Sequence, residues 1–139
     1  MRQHTGRLVV RTTGRGFYDV TTQVQDQVTL ARIQAGICTI HLRHTSASLL
    51  VQENADPDVR RDFERFFQRL VPDGDPIFSH TIEGEDDMPA HVRTALTTVN
   101  MSLPIETGRL ALGTWQGIYV WEHRREAHVR TMAVHVIGE

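Results

Sequence analysis

The stretch Val129 to Ile137 is apolar on both of its faces, with Met132, Val134 and Val136 on one and Val129, Ala133 and Ile137 on the other. A strand of that kind needs cover above and below and neighbours on both sides, so it belongs inside a sheet. The other stretches of period two are its candidate partners. Arg7 to Thr13 sets Leu8, Val10 and Thr12 against Val9 and Arg11 and ends at Gly14 and Gly16. Ile37 to His44 puts Cys38, Ile40 and Leu42 on one face and Thr39, His41 and Arg43 on the other. Leu49 to Asn54 is a further apolar strand. Leu103 to Ile105 is extended, and a turn at Thr107-Gly108 leads to Arg109–Leu112. Ile118 to Arg124 alternates once more, with Ile118, Val120, Glu122 and Arg124 sharing a face.

Helical spacing separates these strands. Val20, Val24, Val28 and Ala31 form one stripe, with Thr22 and Gln25 spaced as a capping box and Gly36 as the stop. Asp56 as N-cap and Pro57 in the first turn open a second helix, striped by Val59, Phe63, Phe66, Phe67 and Leu70 as core. Its Arg60, Arg61, Arg65 and Arg69 form a solvated face. Val92, Ala95, Leu96 and Val99 predict a third helix, with Pro89 in its first turn. The order β-α-β-β-α-α-β-β-β defines an α+β fold, with about three helices on one face of a largely antiparallel or mixed sheet. A chain of 139 residues, 40% hydrophobic, forms one domain over 1–139 and has no second helical layer, so an oligomeric interface is expected to cover the other face.

Charge and cysteine usage narrow the function. The formal net charge of −2, with both signs interspersed, points to neither nucleic acid nor an anionic membrane. Cys38 is the only cysteine, which excludes an internal disulfide and fits a reducing compartment. With no apolar run of membrane-spanning length and no signal-peptide pattern, the expected location is cytoplasmic.

The chemistry concentrates between His80 and His91, where two imidazoles and four carboxylates (Glu83, Glu85, Asp86 and Asp87) precede the third helix. Asp86 and Asp87 at a helix start either cap it or bind a ligand. His91, near the positive end of the helix dipole, is expected to be neutral, able to coordinate a metal or to donate to a carbonyl. His44 falls by parity on an apolar face, as a core residue or a ligand. Thr45, Ser46 and Ser48 after it make either an anion site or a Ser/Thr turn. Asn54 stands where a strand leaves the sheet and is open to either reading. Thr114, Trp115 and Gln116 between two glycines line a ligand or form a hairpin with a core Trp. Glu122 pairs with Arg124, or orients a ligating histidine.

The blocks His44–Leu49, Glu53–Val59, Glu83–His91 and Gly108–Gln116 resemble, in order, the motifs of the YjbQ family. That resemblance implies a YjbQ-like α+β homotrimer of unsettled primary role. It also implies a metal-holding site near the subunit interface and a secondary thiamine-phosphate synthase activity, a transferase reaction. It carries over His44, His80 and His91 as metal ligands, Glu83, Asp86, Asp87 and Glu122 as nearby carboxylates, and Thr114 and Gln116 as site-lining positions. Within Trp121–Arg124 the match is at Glu122 and Arg124, so His123 is not carried over.

The implied reaction joins a pyrimidine pyrophosphate to a thiazole phosphate and releases pyrophosphate. It needs a cation for the leaving group and a surface for the ring. A divalent ion on the three histidines would supply the first, with Thr45, Ser46, Ser48 and Thr114 as donors and Trp115 stacking on the ring. Three imidazoles suit zinc better than magnesium, for which Asp86 and Asp87 are the alternative. Two other functions fit the same residues. One is a metal-dependent phosphate-ester hydrolase with Glu83 or Glu122 as general base; the other is a non-catalytic trimer binding a metal or a phosphorylated metabolite. The common expectation is that His44, His80 and His91 converge in one coordination sphere.

Overall fold

The strand placed inside a sheet lies inside one: β8 (Val129–Gly138) runs antiparallel between β1 (Arg2–Arg11) and β3 (Ala35–Leu42). The computed structural model describes residues 1–139. β5 (Asn100–Glu106) and β6 (Arg109–Leu110) extend this sheet to five strands, ordered β1-β8-β3-β5-β6. A second antiparallel sheet of three strands places β7 (Gln116–Glu122) between β2 (Gly16–Asp19) and β4 (Ala47–Glu53). α1 (Thr21–Ala31), α2 (Pro57–Leu70) and α3 (Asp87–Leu96) complete an α+β fold. None of the helices is long and apolar enough to cross a membrane.

Strand alternation builds one core between the two sheets. Cys38, Ile40 and Leu42 of β3 and Met132, Val134 and Val136 of β8 meet Leu49, Ile118 and Val120 of the smaller sheet, with Val24 and Val28 of α1. The split into two sheets arises because β4 pairs with β7 and not with β3, and β2, too short for period two to announce it, adds an edge to the smaller sheet. The chain turns out of β1 through Gly14, whose φ of +131° suits glycine. The corner is tied where Tyr18 Oη donates to the Gly14 carbonyl at 2.8 Å and accepts from the Thr13 N–H at 2.9 Å.

The helix signals hold in part. Asp56 caps α2 as expected, accepting the Asp58 N–H at 2.9 Å, with Pro57 in the first turn. The aromatic stripe of α2 is not core, however. Phe63 and Phe67 pack edge-on against Trp121 on the far face of the smaller sheet, while Phe66 and Leu70 are half exposed. The capping box at α1 is absent. Asp19 takes the Thr21 N–H instead, and Gln25 reaches across to hold the β5–β6 turn through the Gly108 carbonyl and the Leu110 N–H. Nor is Gly36 a helix stop. It lies in β3 opposite Gly138, where a Cβ would come within 2.1 Å of the Ile137 carbonyl. α3 turns Ala90, Arg93 and Thr94 inward and leaves Ala95 and Leu96 outside, so its expected stripe is rotated.

The outer face of the five-stranded sheet has no cover. Val9 and Val129 at one end of it and Ile37 at the other are 54%, 50% and 40% exposed, with Thr131, His135 and Thr39 among the residues between them on the same face.

Candidate functional site

At the start of α3 the chain places two consecutive carboxylates that do not cap the helix. Asp86 occupies the N-cap position without a side-chain capping bond, because both side chains are turned to the arginine that follows β7. Arg124 donates from Nε to Asp86 Oδ2 at 2.9 Å and from NH1 to Asp87 Oδ1 at 2.8 Å. Its NH2 donates to the Glu83 carbonyl at 2.8 Å. Burial tends to raise the Asp86 pKa, but the Arg125 N–H and Arg124 outweigh it and hold the carboxyl below its usual range.

The second oxygen of Asp87 faces two imidazoles. Asp87 Oδ2 lies 2.8 Å from His80 Nε2 and 3.2 Å from His91 Nε2. His91 is one helical turn after Asp87, and its Nδ1 lies 3.0 Å from the Thr45 carbonyl. A carbonyl only accepts, so Nδ1 carries a proton, and the ring turns Nε2 toward the carboxylate, where it either donates a proton or offers a lone pair. Two lone pairs so opposed repel unless a proton or a cation lies between them. His80, Asp87 and His91 each offer an atom within 4.8 Å of the other two, a group able to hold a metal ion. Donors about 2.1 Å from one ion sit roughly 3.0–3.4 Å apart, close to the 2.8 and 3.2 Å that separate Asp87 Oδ2 from the two imidazoles. Two histidines and a carboxylate on one side leave further coordination positions open.

His44 stands outside this group, and Asp87 takes the place expected for it. β3 ends at Leu42, so the alternation that aimed His44 no longer applies. Its Nε2 accepts the Thr131 N–H at 2.8 Å, which occupies the lone pair a metal would need. Burial and the nearby Arg130 lower its pKa.

The hydroxyls read as an anion site are mostly taken. Ser46 Oγ accepts from Arg130 at 3.0 Å, Ser48 Oγ lies 2.8 Å from His123 Nε2 in the interior, and Thr45 contributes its carbonyl to His91. Asn54, Thr114, Trp115 and Gln116 are not gathered with the triad. In the β4–β7 ladder Glu53 opposes Gln116 at one end and Ala47 opposes Glu122, beside Arg124, at the other. The two ends are about 20 Å apart at some 3.3 Å per residue. There Gln116 closes a turn on the Gly113 N–H, and Trp115 is 64% exposed, neither packed in a core nor beside the histidines.

Glu122 forms the buried ion pair anticipated for it, but with Arg130. Its carboxylate accepts from Thr12 Oγ1 and Arg130 Nε, both at 2.8 Å, from Arg130 NH2, and from the Arg124 backbone N–H at 3.1 Å. Every lone pair is engaged, so Glu122 is neither a free base nor a partner of a ligating histidine. Alternation in β8 sets Arg130 on the same face as Met132 and Val134, and that pattern was the available signal for this missed residue. Nothing in the pattern announces the second buried cluster. Arg15 holds Asp73 through two 3.0 Å bonds, and Arg93 lies 3.6 Å from Glu64. His123 is fully buried against Trp121, and burial lowers its pKa to about 2. Of the carboxylates around the triad, Glu83 extends into solvent, with Oε2 3.8 Å from Arg124.

Fold and site together define a small two-sheet α+β protein with a histidine–aspartate cluster where its last helix begins. The chain belongs to the YjbQ family, whose description, UPF0047 protein YjbQ-like, matches residues 6–139. It is 49% identical over 138 residues to UPF0047 protein sll1880 of Synechocystis sp., covering 99% of this chain and 94% of that protein. It is 41% identical over 133 residues to UPF0047 protein YjbQ of Escherichia coli O157:H7, covering 95% and 96%. Among solved structures, a YjbQ/UPF0047 family protein of Clostridium acetobutylicum superposes with a TM-score of 0.86 at 33% identity. That match covers 94% of this chain and 98% of the other. A hypothetical protein of Aeropyrum pernix K1, APE1520, gives 0.88 at 29% identity, over 98% and 99%.

Proposed function

We propose that His80, Asp87 and His91 hold a divalent metal ion and that the protein is a metal-dependent enzyme of the thiamine-phosphate synthase type. It would join a pyrimidine pyrophosphate to a thiazole phosphate and release pyrophosphate. The observation that carries this reading is the convergence of one ligand atom each from His80, Asp87 and His91 within 4.8 Å, with His91 Nδ1 held at the Thr45 carbonyl so that Nε2 faces Asp87 Oδ2. Two imidazoles and one carboxylate suit zinc better than magnesium. A divalent ion there supplies the positive charge that a departing pyrophosphate requires. Arg124 and Arg130 are both engaged by buried carboxylates, which leaves neither free to supply it.

The chain's own part is positional. Thr45 orients the ring of His91, and Arg124 fixes Asp87 so that one oxygen remains for the histidines. Glu83, the exposed carboxylate beside the triad, favours a second reading as a phosphate-ester hydrolase in which it accepts the proton of an attacking water. An unpaired Cys38 in the core is compatible with a cytoplasmic setting for either reaction.

Metal analysis tests the site. Wild-type protein is expected to take up about one zinc per chain, and His80→Ala, Asp87→Ala and His91→Ala each to weaken it about 100-fold, whereas His44→Ala retains it. Unchanged zinc content in all of the first three variants would remove the proposal. Turnover of both substrates together supports the synthase. Phosphate release from one substrate alone supports the hydrolase. Metal-dependent ligand binding without turnover reduces the protein to a binding module.

The uncovered sheet face with Val9, Ile37 and Val129 supports association between copies of the chain, and the resemblance to the YjbQ family puts their number at three. Analytical ultracentrifugation at micromolar concentration is expected to give about three times the 15.8 kDa chain mass. A stable monomer there would contradict it.

A further inference from the structure

The segment between α2 and α3 closes on itself, because the Gly74 N–H donates to the Glu85 carbonyl at 3.0 Å and ties the ends of the loop together. The loop borders a partly open cavity of about 300 Å³, walled by Asp75, Phe78, Thr81 and Glu85 with Met88 and Pro89 of α3. His80 lines it too, so the cavity and the triad share one residue and are neighbours. Its volume is at the lower end of small-molecule sites, about 300–1,000 Å³.

The charge of this cavity is one-sided. No lysine or arginine lines it, and the arginines nearby are engaged: Arg124 by Asp86, Asp87 and the Glu83 carbonyl, and Arg125 by Glu85 Oε1 at 3.0 Å. Two carboxylate oxygens remain available. Asp75 Oδ1 accepts the Ile77 N–H at 2.9 Å, and Oδ2 receives no donor. Glu85 Oε2 leans over Gly74, 3.0 Å from where a Cβ would sit, and glycine leaves room for it. Beside these oxygens stand the Thr81 hydroxyl, the Phe78 ring and the Met88 thioether. An anionic group entering would meet the Asp75 carboxylate, which no arginine pairs, beside a Glu85 carboxylate that shares its charge with Arg125. A flat cationic group would find acceptors on one side and a ring and a sulfur to lie against on the other.

We propose that this cavity is a specificity subsite for a planar cationic group, such as an amidine or a protonated amino-heterocycle, with Asp75 as the residue that selects it. The inference rests on the triad being the reaction centre. A ligand spanning both would carry its phosphate-like end to the triad and its basic ring into the loop.

Benzamidinium and benzoate, planar ions of matched shape and opposite charge, separate the possibilities in metal-free protein. Amide chemical shifts of residues 74–85 are expected to move saturably with benzamidinium, with benzoate binding at least about tenfold more weakly. Asp75→Asn keeps an acceptor for the Ile77 N–H and so preserves the loop. It is expected to weaken benzamidinium about tenfold, and Glu85→Gln to weaken it as well, with zinc affinity unchanged in both. Benzoate binding as tightly as benzamidinium, no saturable shift with either ion, or an Asp75→Asn variant that binds benzamidinium as wild type does would overturn the subsite. Zinc uptake without benzamidinium binding defeats this inference alone. Asp75-dependent benzamidinium binding without zinc uptake defeats the metal reading alone.

Discussion

Glu122→Gln is expected to lose about 3–5 kcal/mol of folding stability, because it leaves the Arg130 guanidinium buried without a counter-charge. Glu122 is 0% exposed and its carboxylate gathers Thr12 from β1's end, Arg130 from β8 and the Arg124 N–H, so one side chain joins both sheets. Urea denaturation at pH 7 measures the loss. A variant within about 1 kcal/mol of wild type would show that the pair contributes little. The same residue sets an acid dependence. Burial pushes the Glu122 pKa upward, but the bonds from Arg130, the Arg124 N–H and Thr12 outweigh burial and hold it below its ordinary value of 4.5. A depressed folded pKa means stability that is fully present above 4.5 and lost as pH falls through the lower folded value. Asp86 is depressed in the same sense and adds to the slope. Wild-type stability is therefore expected to decline below about pH 4.5 more steeply than that of Glu122→Gln.

Arg124→Gln is expected to strike fold and site together. It strands Asp86 and Asp87, both nearly buried, and costs about 3–5 kcal/mol in metal-free protein. It also frees Asp87 to turn away from the histidines, weakening zinc about 10- to 100-fold. Since a bound ion neutralises part of the stranded charge, added zinc is expected to recover some of the lost stability, and thermal denaturation with and without zinc reads this linkage. Arg124→Lys keeps the charge but not the planar fork that spans two carboxylates, and is expected to fall between. Lost stability with unchanged zinc affinity would make Arg124 a structural residue only.

Where the sequence pattern was local, it described the molecule well. The alternation of Val129–Ile137 located the central strand, Asp56-Pro57 located the start of α2, and the density of ligands from His80 to His91 located the cluster. What escaped it depends on partners far along the chain. Alternation extended two residues past the end of β3 sets His44 on the apolar face, whereas the Thr131 N–H decides its role. Parity within one strand matches Arg124 to Glu122, whereas its side chain swings out to α3 and Arg130 arrives from the next strand. The polar turn around Trp115 carries the composition of a binding site, yet it stands at the other end of the β4–β7 ladder from the histidines. α3's inward face was read from its aliphatic residues, but Arg93 and Thr94 occupy it, and no hydrophobic period can announce a buried guanidinium.

The pairing of Arg2 with Gly138 and of Leu42 with Met132 has a consequence for how such a chain is made. β8 is the strand that both β1 and β3 wait for, and it is the last of the eight to leave the ribosome. Throughout translation β1 and one side of β3 are open templates for any passing strand, and contacts of such long range form slowly. The larger sheet can therefore close only after synthesis has passed residue 138, and a nascent chain stalled before β8 is the form of this protein most in need of a chaperone.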